Sequence, residues 1–318
     1  MARPSSREFS IGSNRIYYYF VFGAAGGLTG WYLTGVLAVL SGNNSSLGFQ
    51  ILAGAILGSM IGLGTGAYDG VVSESLARFV KYGSNGLLLG LCAGAVALPL
   101  AQALYGSIRP GGPQAATPEL FLKGVVCWVV FGGLIGLGEG FGQGSQTWMS
   151  MVGGIIGGAV GGGLYEAVGR SVTPESASSE QTLLACAVSA LGGFIAYSVA
   201  LVPTVLKDAW LTIESGKLTG TEINISRYVE KGMADKRPGI IGSQWDVPIY
   251  LPGDMRLLPQ HARISYFDGS PMLTALPDAV EKGAIVRVNG RPVSTWRLGD
   301  GDRLQVGSTV LLYRHRRR

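Results

Sequence analysis

Glycine recurs every fourth residue through long apolar runs, and this pattern restricts what the chain can fold into. Gly54, Gly58, Gly62 and Gly66 form one ladder, continued at Gly70. Gly132, Gly136 and Gly140 form a second, and Gly153, Gly157 and Gly161 a third, with Gly154, Gly158 and Gly162 alongside. Gly86, Gly90 and Gly94 make a shorter one. A spacing of four puts every rung on nearly one face of an α-helix. In water each helical glycine costs about 1 kcal/mol relative to alanine. In lipid, where helices associate through close packing, a bare stripe lets two backbones approach. The ladders therefore predict packed transmembrane helices.

Six segments reach the roughly 20 apolar residues that a hydrocarbon core requires. They lie near 16–40, 47–69, 84–105, 120–142, 148–169 and 181–206. Proline and polar residues near their ends make the third and fifth the weakest. Only 14% of the 318 residues are charged, against about 25% in soluble domains. The charge is also uneven. Residues 1–206 carry 8 Lys/Arg and 8 Asp/Glu, while residues 207–318 carry 17 and 12, the whole net charge of +5. That shift marks a boundary near Leu206. The fold class read from it is an α-helical transmembrane bundle followed by an all-β sandwich: an N-terminal segment 1–15, six helices in 16–206, and a soluble domain in 207–318.

An internal repeat is legible. Ile61-Gly62-Leu63-Gly64-Thr65-Gly66 echoes Ile135-Gly136-Leu137-Gly138-Glu139-Gly140, and each is followed by another laddered span. The pairs read as duplicated hairpins, the second with the shorter connection. Thr29-Gly30-Trp31-Tyr32 more weakly echoes Thr65-Gly66-Ala67-Tyr68. Duplicated units occur in transporters and in plain bundles alike. Arg3, Arg7 and Arg15 before the first span, and Arg78 and Lys81 after the second, place both termini on the cytosolic side by the positive-inside rule. Asn43 and Asn44 begin formal glycosylation sequons that carry little weight in a polar turn.

Glu139 is the one carboxylate well inside a span; Asp69 and Glu166 lie nearer span ends. An intramembrane carboxylate is a candidate ion or proton site, or else a headgroup-level residue in contact with water. Cys92, Cys127 and Cys186 lie in apolar runs and read as small buried residues, with no metal or redox spacing. No catalytic set, metal cluster or cofactor motif can be assembled, so no enzyme is expected.

From Trp210 onward short alternating runs appear at 210–214, 222–225, 247–251, 263–267, 285–288, 303–306 and 309–313. Turn residues separate them, among them Asp268-Gly269 and Asn289-Gly290, a pattern that predicts a β-sandwich. Here a resemblance enters. Gly239-Ile240-Ile241-Gly242-Ser243, Trp245 to Leu251, and His261-Ala262-Arg263-Ile264 look like the front of a forkhead-associated (FHA) domain. Val288-Asn289-Gly290-Arg291-Pro292-Val293 and Leu298-Gly299-Asp300-Gly301-Asp302 to Gly307 are similar to its back half. The resemblance covers about residues 209–314 and implies phosphothreonine-peptide binding through loops at one end.

The same resemblance implies that this activity is degraded. Gly242 is kept, but Ser243 stands where the family has a phosphate-binding arginine. Leu258 and Pro259 stand where it has a serine and an arginine. The family's Asn-Gly-Thr turn has no clear counterpart before Asn289, which the resemblance groups with Gly242, Ser243 and His261 as the FHA-like loop positions. His261 is kept, and in the family it is mainly structural. A serine hydroxyl cannot replace the bidentate, charge-assisted bonds of arginine; Arg256 and Arg263 are the other cations in this stretch. The closing Arg314, Arg316, Arg317 and Arg318 either contact anionic lipid or are solvated.

Together these readings predict a scaffold or adaptor in a membrane complex. The bilayer and an unidentified protein would be its partners, homo- or hetero-oligomerisation stays open, and no nucleic acid is expected. The resemblance suggests signalling at a bacterial inner membrane. The alternative is a channel or transporter subunit regulated by the FHA-like domain.

Overall fold

The structure, a computed structural model, describes residues 6–42, 46–107, 118–143, 147–171, 177–216, 218–229 and 238–316. The chain divides into two compact units, Arg15–Pro203 and Thr204–Arg318, the latter grouped with the start of the chain up to Asn14.

The first unit holds six helices: α1 (Ser6–Ser41), α2 (Leu47–Val72), α3 (Leu76–Ser107), α4 (Pro118–Gln143), α5 (Thr147–Ser171) and α6 (Ala177–Val205). Each is long and apolar enough to cross a membrane. α3 starts eight residues before the expected span and runs through Pro99.

Each of the six helices packs on the next along the chain, and α6 closes back on α1. Between α2 and α3 the glycines face backbone directly. A Cβ added at Gly54, Gly58, Gly62 or Gly66 would collide with the carbonyl oxygen of Gly94, Gly90, Gly86 or Tyr82 respectively. Between α4 and α5, Gly132 faces Gly154, Gly136 faces Ser150, and Gly140 faces Thr147. Gly153, Gly157 and Gly161 turn the other way and face Ser198, Phe194–Ile195 and Leu191 of α6. The double glycines of α5 thus serve two neighbours at once. Such approaches permit Cα–H···O=C contacts, each worth about 0.5–1 kcal/mol. Gly23 and Gly27 of α1 meet Gly192 and Val188 of α6, and Ser189 Oγ donates to Ala24 O at 2.9 Å. Leu57, Ile61, Phe131, Ile135, Leu191 and Ile195 fill the middle as one buried cluster.

The cysteines depart from expectation. Cys127 is buried, its thiol donating to Ala101 O at 3.0 Å, but Cys92 and Cys186 lie exposed on the surface of the helical unit. In a membrane that surface faces lipid, so an apolar run alone does not imply burial in protein.

The second unit is a sandwich. One sheet has strand order β2 (Glu222–Asn224), β1 (Ala209–Ile213), β11 (Thr309–His315), β10 (Arg303–Val306), β7 (Val286–Val288), β8 (Arg291–Val293). The other has β4 (Ile249–Tyr250), β3 (Gly239–Gly242), β5 (Ala262–Phe267), β6 (Ser270–Ala275), β9 (Thr295–Arg297). Among the described residues only the short β3–β4 pair is parallel. Alternate residues such as Leu211, Ile213, Ile241, Ile264, Val288, Leu304, Leu311 and Tyr313 point inward and form the core. All seven expected runs fall on strands. β3, β6, β8 and β9 were not among the expected runs; β6 carries Pro271, which lacks an N–H for the ladder. The turns at Asp268-Gly269 and Asn289-Gly290 have φ of +46°, +76°, +50° and +80°. Two successive left-handed residues suit a two-residue hairpin, and Asp-Gly and Asn-Gly adopt it readily.

Candidate functional site

Strand register brings the loops of interest to one end of the sandwich. β3 pairs Ile241 with Ala262 at the start of β5, and β6 pairs Ala275 with the same residue. Segments 243–248, 251–261 and 276–285 therefore share an end. The 307–308 turn joins them, because Asp254 reaches across to it: Asp254 Oδ2 accepts from the backbone N–H groups of Ser308 and Thr309 at 2.8 and 3.0 Å and from Thr309 Oγ1 at 2.9 Å.

Gly242, Ser243 and His261 meet at this end. Gly242 is required by space, since a Cβ there would fall onto Pro259 O and within 3.1 Å of Gln260 Cα. Ser243 turns inward. Its N–H donates to Leu258 O at 3.0 Å and its hydroxyl donates to Leu257 O at 3.1 Å. The side chain in the expected phosphate-ligand position is thus spent on its own loop. His261 is fully buried; its N–H donates to Ile241 O at 2.8 Å, and its Nδ1 accepts from Leu258 N–H at 3.3 Å. Burial holds the imidazole below its usual range, against the pull of the Asp254 charge. The histidine therefore pins the 251–261 loop in neutral form.

Asn289 does not belong to this site. It turns β7 into β8 at the opposite end of the sheet from the 307–308 turn, as the Val306–Val286 and Leu304–Val288 pairs require. Its Oδ1 accepts from Arg303 N–H at 3.0 Å and its Nδ2 donates to Asp302 Oδ1 at 2.8 Å. Asp302 Oδ2 also accepts from Trp296 Nε1 and Gly299 N–H at 3.1 and 2.8 Å. The Asn-Gly and Gly-Asp-Gly-Asp blocks meet each other, but as a structural latch far from the loop end.

The basic tail is partly strand. Arg314 lies in β11 opposite Trp210, and Arg316 N–H donates to Asp208 O at 2.7 Å. Arg317 and Arg318 lie outside the described residues, as do the sequons at Asn43 and Asn44 and the side chain of Asp69.

In the helical unit Glu139 is 4% exposed, so it is enclosed by helices and not solvated. Thr65 Oγ1 donates to its Oε1 at 2.6 Å. The carboxyl lies beside the α2–α3 crossing, where a Cβ on Gly62 or Gly86 would stand 3.3 or 3.1 Å from Oε1. Glu166 accepts from Trp128 Nε1 at 3.2 Å. Among the described residues no cluster of three or more His, Cys, Asp or Glu could hold a metal ion.

Sequence reasoning missed Asp254, whose importance comes from a turn more than 50 residues away, so no local signal marks it. Burial raises its carboxyl, but the hydrogen bonds from Ser308, Thr309 and Arg256 outweigh burial and hold it below the ordinary carboxylate range. A depressed folded value contributes stability above the unfolded value of about 3.9, and that stability is lost as pH falls through the folded value. The Ser308 and Thr309 amides are expected to lose hydrogen-exchange protection, corrected for intrinsic rate, as pH falls below about 4. Asp254→Asn should remove that pH dependence while lowering protection at neutral pH.

No protein-family model matches the chain, and no curated protein matches it. Solved FHA-domain structures similar to it cover about a third of the chain, at its C-terminal end. The FHA domain of the CT664 protein from Chlamydia trachomatis is 23% identical over 35% of this chain and 100% of that one, with a TM-score of 0.28. The FHA domain of FhaA, solved with the intracellular domain of another protein, is 24% identical over 33% and 99%, with a TM-score of 0.26. An FHA domain described for phosphothreonine-dependent interactions is 22% identical over 35% and 100%, with a TM-score of 0.28.

Proposed function

We propose that this chain is a non-catalytic membrane adaptor whose helices anchor it in a bilayer, with both termini cytosolic, and whose sandwich binds a protein partner through its loop end without requiring phosphate. The observation that carries this reading is the Ser243 side chain, tied to Leu257 O at 3.1 Å. A hydroxyl already donating within its loop offers phosphate no charge, and Leu258 and Pro259 supply none beside it. Trp245 and Met255, both exposed on these loops, offer apolar contact instead.

A crosslinking pull-down of the full chain is expected to recover a partner that a chain ending at Leu206 does not. A phosphothreonine-peptide array on the full chain in detergent should show no phosphate-dependent binding. Selective capture of phosphorylated over unphosphorylated peptides would refute phosphate independence and leave the anchor in place.

Glu139 favours the second reading, a channel or transporter subunit. The fully buried Ile61, Ile135, Leu191 and Ile195 in the middle of the helices argue for an anchor instead. Proteoliposomes of the parent protein should show no proton or cation flux that Glu139→Gln abolishes.

A further inference from the structure

The glycine contacts repeat three times, not twice. A Cβ on Gly58, Gly132 or Gly192 would lie 2.9, 2.9 or 3.1 Å from the Cα of Gly94, Gly158 or Gly27 respectively. The same Cβ atoms would also strike the carbonyl oxygens of Gly90, Gly154 and Gly23. The pairs α2–α3, α4–α5 and α6–α1 are thus built alike. The contacts from one pair to the next repeat as well: Gly64 faces Phe22, Gly138 faces Leu89, and Ser198 faces Gly153. Likewise Met60 faces Gly26 and Phe194 faces Gly157.

These contacts align three segments without a gap: Leu57 to Gly66 (LGSMIGLGTG), Phe131 to Gly140 (FGGLIGLGEG) and Leu191 to Ala200 (LGGFIAYSVA). Equivalent residues then stack in layers. Leu57, Phe131 and Leu191 form one, and Ile61, Ile135 and Ile195 the next, all within one buried cluster. The third layer is Thr65, Glu139 and Val199, and in it the copies diverge. The weak echo of Thr65 at Thr29 is accidental, since α1 occupies the position of α3 and α5.

We infer that the helical unit is three copies of one helical hairpin around a pseudo-threefold axis, the third copy split between α6 and α1, and that the Thr65–Glu139 hydrogen bond is the polar key that tells the copies apart. A symmetric apolar core leaves the placement of like units under-specified, and one buried polar contact can specify it. The socket is asymmetric too. Glu139 lies beside Gly62 and Gly86, whose equivalents in the second copy are Gly136 and Ser150. This inference is independent of what the sandwich binds.

The test rotates the key by one copy. Thr65→Val, Glu139→Thr, Ser150→Gly and Val199→Glu are combined in the full chain, which moves the carboxyl to the next copy and supplies its glycine socket. The combined variant should keep a thermal midpoint in detergent within about 5 °C of the parent. Val199→Glu alone should lose about 10 °C, because it buries a carboxyl without its threonine. A combined variant no more stable than Val199→Glu alone overturns the inference. Alanine at Ile61, Ile135 or Ile195 should in addition lower the midpoint by equal amounts, and a threefold spread among the shifts would also overturn it.

Discussion

Leucine in place of Gly58 is expected to take the α2–α3 pair apart. The Cβ alone would strike Gly90 O and lie 2.9 Å from Gly94 Cα, and leucine adds three more carbons. Neither obstacle is the end of a flexible side chain that could swing aside; both are helix backbone. Overpacking of ordinary cores costs about 1–3 kcal/mol and occasionally more. Here relief requires two helices to separate along their whole crossing, so the cost should reach at least about 3 kcal/mol. Thermal unfolding in detergent measures it. Gly35→Leu is the control, because a Cβ there meets nothing within 4 Å. A Gly58→Leu protein as stable as the Gly35→Leu protein would contradict the crossing described.

The second large effect belongs to the sandwich. Gly242→Val should displace the 251–261 loop, because a Cβ lands on Pro259 O. The hydrogen bonds of Ser243 to Leu257 and Leu258, and of His261 to Leu258, depend on that loop staying in place. A loss of at least about 3 kcal/mol is expected, read as faster proteolysis within 243–261 and loss of any partner recovered by crosslinking. Asn289→Ala tests the opposite end. It removes two side-chain hydrogen bonds and puts alanine, which lacks the short polar side chain that lets asparagine tolerate this region, at a left-handed φ of +50°. It should destabilise by about 1–3 kcal/mol while leaving partner capture intact. Loss of capture with Asn289→Ala would place the binding surface elsewhere.

Much of this architecture was legible in the residues because its signals are local. Helix faces follow from spacing, and a stripe such as Gly54 to Gly66 announces itself. The Asp268-Gly269 and Asn289-Gly290 hairpins follow from the backbone those residues prefer. What escaped depends on distant partners. Gly153 and Gly154 read as one doubled ladder, yet they serve α6 and α4 separately. Asn289 and His261 read as parts of one site, although strand register sets them at opposite ends. The third hairpin was hidden because its halves lie at the two ends of the helical unit, and in it Ala196, Ser198 and Ala200 replace the glycines that make the other two copies alike.

The pairing of α6 with α1 also bears on biosynthesis. α1 leaves the ribosome well before α6 and must wait for it: Ala24 meets Ser189 across 165 residues of chain. Until then the bare face at Gly23 and Gly27 has no proper neighbour and is open to mispairing with other membrane segments. The sandwich follows α6 in the chain, so a completed sandwich reports that α6 has already been made.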